Sequence, residues 1–358
     1  MAYGSGNITV NVYLQSIPSI SAKFRQVLHL VDLATNSLNG DTYRTYYSYA
    51  DVDADQALGY VSATTLGAAR DFFAQPGSNK VLLLGSVDIV GGDGYDDAMN
   101  DCIDAGAEFW AVTINSRTQA DMLLVAANCE TLGRYMFFYQ DDDGTWLTAG
   151  YPGAMAAMEG RERSMLCWHD TDTEWSDLCV AGNRMDFDPD LQAVTFSCAV
   201  KEVAALATAL TSNQESELQL NQGNYGKAWG TATYWFGTGI NHGDRPTDHI
   251  LAIDWWQTRL EERLSALVQQ AAARGEKITV DGRGQGLVLS EIDAQISQGL
   301  SAGHFLEVSS TDSDVKTYSE PVTITAADVT AQRLRFKVQL VLSTGVVTLT
   351  VNTYARAY

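Results

Sequence analysis

Residues 64–86 read TTLGAARDFFAQPGSNKVLLLGS. Leu66, Ala69, Phe72 and Phe73 recur at helical spacing, so Thr64–Gln75 is predicted to be a helix with one apolar side. Pro76-Gly77 stops it. After Ser78-Asn79, Lys80–Ser86 form an apolar run of strand length without a polar face, the pattern of a strand buried on both sides. A helix, a Pro-Gly break and a two-sided strand make one step of an α/β fold.

The same alternation extends both ways. Upstream, QVLHLVD (Gln26–Asp32) is another strand-length apolar run. Downstream, helices are expected at Asp96–Ala105, Gln119–Leu132, Ala154–Arg163 and Val200–Thr211. Strands are expected at FWAVTI (Phe109–Ile114), RYMFFYQ (Arg134–Gln140) and SMLCWHD (Ser164–Asp170). Strands alternating with helices of this length imply a largely parallel sheet with covered faces. A Gly- and Asn-rich stretch, Asn221–Gly243, marks a change of organisation. Beyond it Asp254–Arg274 is the most legible helix, with Trp256, Leu260, Leu264, Leu267, Val268 and Ala271 as its apolar stripe. Asp254 with Gln257 reads as a capping box, and Gly275 as the stop. DGRGQG (Asp281–Gly286) reads as a flexible turn before a second helix, Leu289–Leu300.

The chain ends have a period of two. Ile8, Val10, Val12 and Leu14 alternate with Thr9, Asn11, Tyr13 and Gln15, and Pro18 reads as a joint between this strand and the body. Leu334, Phe336, Val338, Leu340 and Leu342 alternate with Arg333, Arg335, Lys337 and Gln339. After Ser343-Thr344-Gly345, Val347, Leu349 and Val351 alternate with Thr348, Thr350 and Asn352, which completes a hairpin. The expected fold class is therefore α/β and multi-domain, with a largely parallel central sheet, covering helices, a C-terminal α+β region ending in a β-hairpin, and extended terminal β arms. The expected divisions are an N-terminal arm (1–20), an N-terminal α/β part of the core (21–90) and a middle α/β domain (91–235). A C-terminal core domain (236–335) and a C-terminal hairpin or arm (336–358) follow.

Composition narrows the partners. Among 358 residues there are 44 acids and 23 bases, a net −21. Binding a phosphate backbone requires clustered Lys and Arg, so nucleic acid is disfavoured, as is an anionic membrane surface. No run approaches the ~18 apolar residues of a membrane span, and Met1–Leu14 lacks the features of a secretory signal. Five cysteines (Cys102, Cys129, Cys167, Cys179, Cys198) without a C-x-x-C pair read as reduced, mostly buried thiols. A soluble protein with protein partners is expected.

Chemical motifs fail on inspection. Asp51, Asp53 and Asp55 match the first positions of a calcium loop, but Gln56 replaces its Gly and Ser62 its Glu. Asp141-Asp142-Asp143-Gly144 also lacks the downstream Glu, and both runs read as solvated turn acids. VGGDG (Val90–Gly94) lacks the third glycine of a dinucleotide site, and Asp93 and Asp96 would repel a pyrophosphate. Cys167 and His169 share a strand face with no second zinc pair, and no serine lies in a G-x-S-x-G elbow. No catalytic, cofactor-binding or metal residue is assigned, and no enzymatic role is expected. Trp146, Trp168 and Trp175, near Asp clusters, carry the alternative of an acidic hydrolase or carbohydrate-binding module.

Charge is distributed unevenly. Residues 1–40 have a net +1 and residues 329–358, with Arg333, Arg335, Lys337 and Arg356 and no acid, a net +4. Of the total −21, residues 41–328 therefore carry −26. Cationic strand-forming ends on an anionic body suit strand exchange between copies. The exchange residues would be Ile8, Val10, Val12, Leu14, Val347, Leu349 and Val351, with Arg333, Arg335 and Lys337 as electrostatic contacts. The alternative is that both ends close the sheet of their own chain.

The order of segments resembles that of the contractile tail sheath proteins of bacteriophages, in their smaller form. The resemblance begins with IPSISAKFRQVLHLVD after a short strand and continues through FFAQPGSNKVLLLGS and FWAVTI. GNYGKAWGTATYWFGTG then leads into HILAIDWWQTRLEERLSALVQQ and KITVDGRGQGLVLSEIDAQISQGLSAGHF, and a hairpin follows. It implies a virion tail component assembled in the host cytoplasm, in hexameric rings stacked helically around an inner tail tube with terminal arms woven into neighbours. It also implies a middle domain of subtilisin-like shape without protease activity, tail tube, baseplate and tail terminator proteins as partners, and contraction by rigid-body rearrangement. A tail tube or baseplate-type subunit is the alternative within such assemblies.

Overall fold

The computed structural model describes residues 7–13, 23–77, 79–200, 210–229, 233–236, 239–306, 317–342 and 345–354. The strands are β1 (Asn7–Tyr13), β2 (Gln26–Asp32), β3 (Tyr43–Tyr46), β4 (Val81–Val87), β5 (Ala111–Ile114), β6 (Met136–Tyr139) and β7 (Ser164–Trp168). They continue with β8 (Cys198–Val200), β9 (Gly223–Trp229), β10 (Thr233–Phe236), β11 (Tyr318–Pro321), β12 (Arg333–Leu342) and β13 (Gly345–Tyr354). The helices are α1 (Tyr49–Ala57), α2 (Ala63–Ala74), α3 (Tyr95–Asp104), α4 (Gln119–Leu132) and α5 (Ser176–Arg184). After them come α6 (Ser212–Leu220), α7 (Thr247–Ala273), α8 (Gly282–Ala302) and α9 (Ala326–Thr330).

The chain divides into two compact units. The larger comprises Ala22–Asp188 and Val194–Ile250, and the smaller Met1–Ser21, Pro189–Ala193 and Leu251–Tyr358. The spans 21–90 and 91–235, expected as separate parts, thus fall almost wholly in one unit. Among the described residues its sheet runs β3-β4-β2-β5-β6-β7-β9-β10-β8. The six from β4 to β9 are parallel, and β3, β10 and β8 add antiparallel margins.

Burial on both faces explains the parallel centre. Every residue of β5, β6 and β7 is buried. On one face Leu28, Leu30, Val112, Ile114, Phe137 and Leu166 join Met99 and Cys102 of α3 and Met122 and Val125 of α4 in a single core. Elsewhere in the unit Trp110, Phe138 and Phe196 cluster, with ring centres 5.5–6.2 Å apart. Each such side chain contributes roughly 1.5–3 kcal/mol by leaving water. Gly85 of β4 lets the sheet approach α3: a Cβ there would lie 2.7 Å from Cys102 Sγ.

Several expectations are corrected. The helix expected at Ala154–Arg163 is only a 3₁₀ segment, Gly153–Met158, bracketed by left-handed Gly153 and Gly160. Of the helix expected at Val200–Thr211, Val200 lies in β8, residues 201–209 lie outside the described residues, and Thr211 caps α6. Helix α7 starts at Thr247, so Asp254 is a buried interior residue and no capping box forms there. DGRGQG is no flexible turn but the start of α8. Asp281 accepts Gly284 N–H at 2.9 Å, and a Cβ on Gly284 would lie 1.8 Å from Thr279 O. Asp51, Asp53 and Asp55 sit on α1 rather than in a turn. Asp141 is buried, accepting Trp146 Nε1–H at 2.9 Å. Pro18 and Leu14 lie outside the described residues.

In the smaller unit Trp256, Leu260 and Leu264 of α7 and Val288, Ile292 and Ile296 of α8 are buried. Phe305 packs where Gly299 has no side chain. Left-handed Gly303 ends α8, with His304 N–H bonded to Gly299 O. The short segment Pro189–Ala193 is strapped onto these helices. Asp190 accepts from Trp255 Nε1 at 2.7 Å and from Arg259 Nε and Nη2 at 2.8 Å each.

Candidate assembly elements at the chain ends

Four strands of the smaller unit form a second sheet, β1-β13-β12-β11. Strand β12 alternates as its sequence demands: Leu334, Phe336, Val338, Leu340 and Leu342 are buried, while Arg333, Arg335 and Lys337 are half-exposed. It pairs antiparallel with β13, setting Phe336 against Val351, Val338 against Leu349 and Leu340 against Val347. Strand β1 then lies parallel to β13, with Ile8 opposite Leu349, Val10 opposite Val351 and Val12 opposite Thr353. Of the expected exchange residues, Ile8 and Val10 thus lie opposite Leu349 and Val351 in one register, while Val347 faces β12 at Leu340. In the single chain the two ends complete the same sheet, with β1 at its margin.

The cations of β12 have acid partners in the same chain. Arg333 Nε donates to Asp328 Oδ1 at 2.7 Å and Arg335 Nη2 to Asp328 Oδ2 at 2.8 Å. Lys337 lies opposite Glu320 of β11, with Nζ 3.3 Å from Oε1. Asp328 also closes the capping box of α9: its N–H donates to Thr325 Oγ1, and its carboxylate accepts Thr325 N–H at 2.9 Å. The bonds from Arg335, Thr325 and Arg333, in that order, hold its pKa well below the usual carboxylate range. Two guanidinium groups on one carboxylate leave this cluster with one net positive charge.

No protein-family model matches the sequence, and no curated protein matches it. Solved structures do. A chain of the anti-feeding prophage baseplate aligns with TM-score 0.63 and 12% identity over 96% of this chain and 94% of its own. The anti-feeding prophage helical sheath in its contracted state aligns with TM-score 0.59 and 12% identity, over 100% of this chain and 97% of that one. A sheath tail protein from Listeria innocua aligns with TM-score 0.60 and 9% identity, over 93% and 95%.

The fold is that of contractile tail sheath proteins.

Within this sheath fold, side chains that suggested other chemistry are packed away. Trp146, Trp168 and Trp175 are 0%, 2% and 6% exposed, so they offer no aromatic platform to a sugar. Trp175 stacks beneath Arg117, which bonds buried Asp177 at 3.3 Å. Burial raises the Asp177 pKa and Arg117 opposes it. His242 is enclosed by Tyr139, at 2.6 Å, and Tyr151, at 3.1 Å. Cys102, Cys129, Cys167 and Cys179 are buried thiols. Burial pushes the Cys102 thiol up to about 12. Among the described residues no helix is long and apolar enough to cross a membrane.

Sequence reasoning missed the Asp328 clamp and the strap. The clamp had a visible signal, because Thr325-Ala-Ala-Asp328 is a capping-box pattern followed five residues later by Arg333. The strap had none: Asp190 meets Trp255 and Arg259 across more than sixty residues of sequence.

Proposed function

We propose that this chain is the structural subunit of a contractile tail sheath. It polymerises as stacked hexameric rings around an inner tail tube and contracts by rigid-body rearrangement between two packings, driving the tube through a host envelope. Heterologous contacts that do not close give the helical stack. The observation that carries this reading is the likeness over the full chain to a helical sheath in its contracted state.

The parallel pairing of β1 with β13 suits domain swapping. Exchanging β1 for the same strand of a neighbour restores every backbone bond in the same register and links the two copies. Ile8, Val10, Val12 and Leu14 would serve one side of the exchange, and Val347, Leu349 and Val351 the other. Arg333 and Arg335, with their residual positive charge, and Lys337 would face the anionic body of the neighbour. The arm at 1–20 and the hairpin at 336–358 act as linkers while body contacts change. The role is non-enzymatic, with tail tube, baseplate and tail terminator proteins as partners in a virion tail assembled in the host cytoplasm. A second reading, a sheath-like subunit of the baseplate itself, draws on the likeness to the anti-feeding prophage baseplate chain.

Negative-stain microscopy of the purified protein tests this. Full-length protein is expected to form tubes or rings, and deletion of residues 1–16 to leave a folded subunit that forms none. Normal tubes from the deletion would overturn the arm exchange; a persistent full-length monomer would overturn the sheath reading.

A further inference from the structure

Helix α4 carries a face that its own chain does not use. Its sequence, QADMLLVAANCETL, has no base, and both its acids are bonded within the chain. Asp121 accepts from the hydroxyls of Ser116 and Thr118, and Glu130 accepts Arg163 N–H at 2.6 Å. The outward row, Ala120, Leu124, Ala127 and Thr131, is exposed and uncharged. A helix with apolar residues all round is normally covered. Beside it the 3₁₀ segment Gly153–Met158 exposes Ala154, Ala156 and Ala157, which widens the uncharged floor.

Charges of opposite sign flank this floor. On one side Asn128 of α4 donates to Asp96 O at 3.2 Å and to Asn100 Oδ1 at 3.1 Å, which seats α3 alongside. The exposed row of α3 is acidic: Asp97, Asp101 and Asp104, with Asp93 just before it. On the other side Arg161 bridges α4 and the 3₁₀ segment. It donates through Nη1 to Leu123 O at 3.3 Å and through Nε to Ala157 O at 2.8 Å. Among the described residues no carboxylate bonds it; of the acids next to it in sequence, Glu162 is held by Arg245 at 3.2 Å. In a chain of net charge −21, an arginine without an acid partner on an apolar floor has the makeup of an interface anchor.

Acid strip, apolar strip and cation thus run side by side on one face. A second copy laid against this face matches both flanks only when turned about an axis along α4, which sets each Arg161 over the other copy's acids. We propose that α4 is the centre of a two-fold contact between two copies of this chain. The two α4 helices run parallel, close together because their outward rows are small. Arg161 of each copy pairs with Asp93 and Asp97 of the other. The heterologous contacts of a helical stack do not supply a two-fold axis, so under the sheath reading this contact belongs to subunits before assembly. Its existence does not depend on that reading, and it involves neither chain end.

The test uses the fact that a residue near a two-fold axis meets its own counterpart. Full-length protein carrying Ala127→Cys, kept dilute and cleared of sedimenting particles, is oxidised and run on a non-reducing gel. A dimer band that the parent protein lacks is expected, and it should weaken when salt is added before oxidation. Adding Asp97→Arg, at an exposed side chain that leaves the fold intact, should lower the band at least about fivefold. Adding Arg161→Glu as well should bring it back, because the pair is then reversed. Absence of the band, a band unchanged by Asp97→Arg, or no recovery in the double substitution at unchanged circular dichroism overturns the proposal. The soluble dimer and the tubes are read separately, so failure of one leaves the other standing.

Discussion

Arg335 donates through Nη2 to Asp328 Oδ2 at 2.8 Å, joining helix α9 to the sheet that the chain ends build. Arg333 occupies the other carboxylate oxygen at 2.7 Å. One acid therefore sets the position of two cations on the exposed side of β12.

The depressed pKa of Asp328 gives this clamp a pH signature. A carboxylate held low in the folded state contributes stability in full above its unfolded value near ~4 and loses it as pH falls through the folded value. The thermal midpoint is expected to fall on acidification below ~4. Asp328→Asn should have a lower midpoint at neutral pH and a flatter profile below ~4, read by circular dichroism. Parallel profiles for the two proteins would show that the clamp is not linked to protonation.

Buried histidines act at milder pH. Burial holds His29 and His242 at about 3. Below ~6.5 the unfolded chain takes up these protons and the folded one does not, so each removes ~1.4 kcal/mol of stability per pH unit until the folded value is reached. Burial raises Asp248 to about 6, which works in the opposite sense, and holds its neighbour His249 at about 4, which offsets it. Denaturant unfolding should show stability falling between pH ~7 and ~5, with a slope reduced by one proton in His242→Gln. An unchanged slope in that variant would count against the assignment.

Helix packing in the larger unit depends on a missing side chain. A Cβ at Gly182 of α5 would lie 2.8 Å from both Phe72 Cδ2 and Phe72 O of α2. The backbone oxygen cannot move aside as a side-chain tip can. Gly182→Ala is expected to destabilise by about 1–3 kcal/mol in urea unfolding. A neutral substitution would mean that the two helices part at little cost.

The strap at Pro189–Ala193 is fastened by the fork of Arg259 on Asp190. Arg259→Ala removes both bonds of this fork from Asp190, and the loss of charge-assisted bonds is expected to cost about 1.5–3 kcal/mol. Faster amide exchange at residues 189–193 should accompany it. If exchange there is unchanged, the segment is held by other contacts.

The parallel centre was legible because strands buried on both faces lose their polar alternation. Gln26–Asp32 and Gln119–Leu132 were placed to the residue. The terminal hairpin was legible for the converse reason, since β12 keeps one wet face. What escaped reading was set by contacts distant in sequence or by backbone geometry. The glycines of Asp281–Gly286 imply a turn by composition, yet Gly284 is there to let Thr279 O approach a helix that has already begun. Helix α7 extends two turns before Asp254 through residues whose apolar spacing is poor. The acids at Asp141 and Asp55 read as solvated because their partners, Trp146 and Tyr46, are recognisable only once folded.

The parallel alignment of β1 and β13 has a mechanical consequence. Residue 7 lies beside residue 348 and residue 13 beside residue 354, so the first residue of β1 and the last of β13 lie at opposite ends of the pair. Tension applied between those two residues loads every rung of the ladder at once, in shear, instead of peeling the rungs apart singly. A filament of copies joined through this pair would yield elsewhere before its seams unzip.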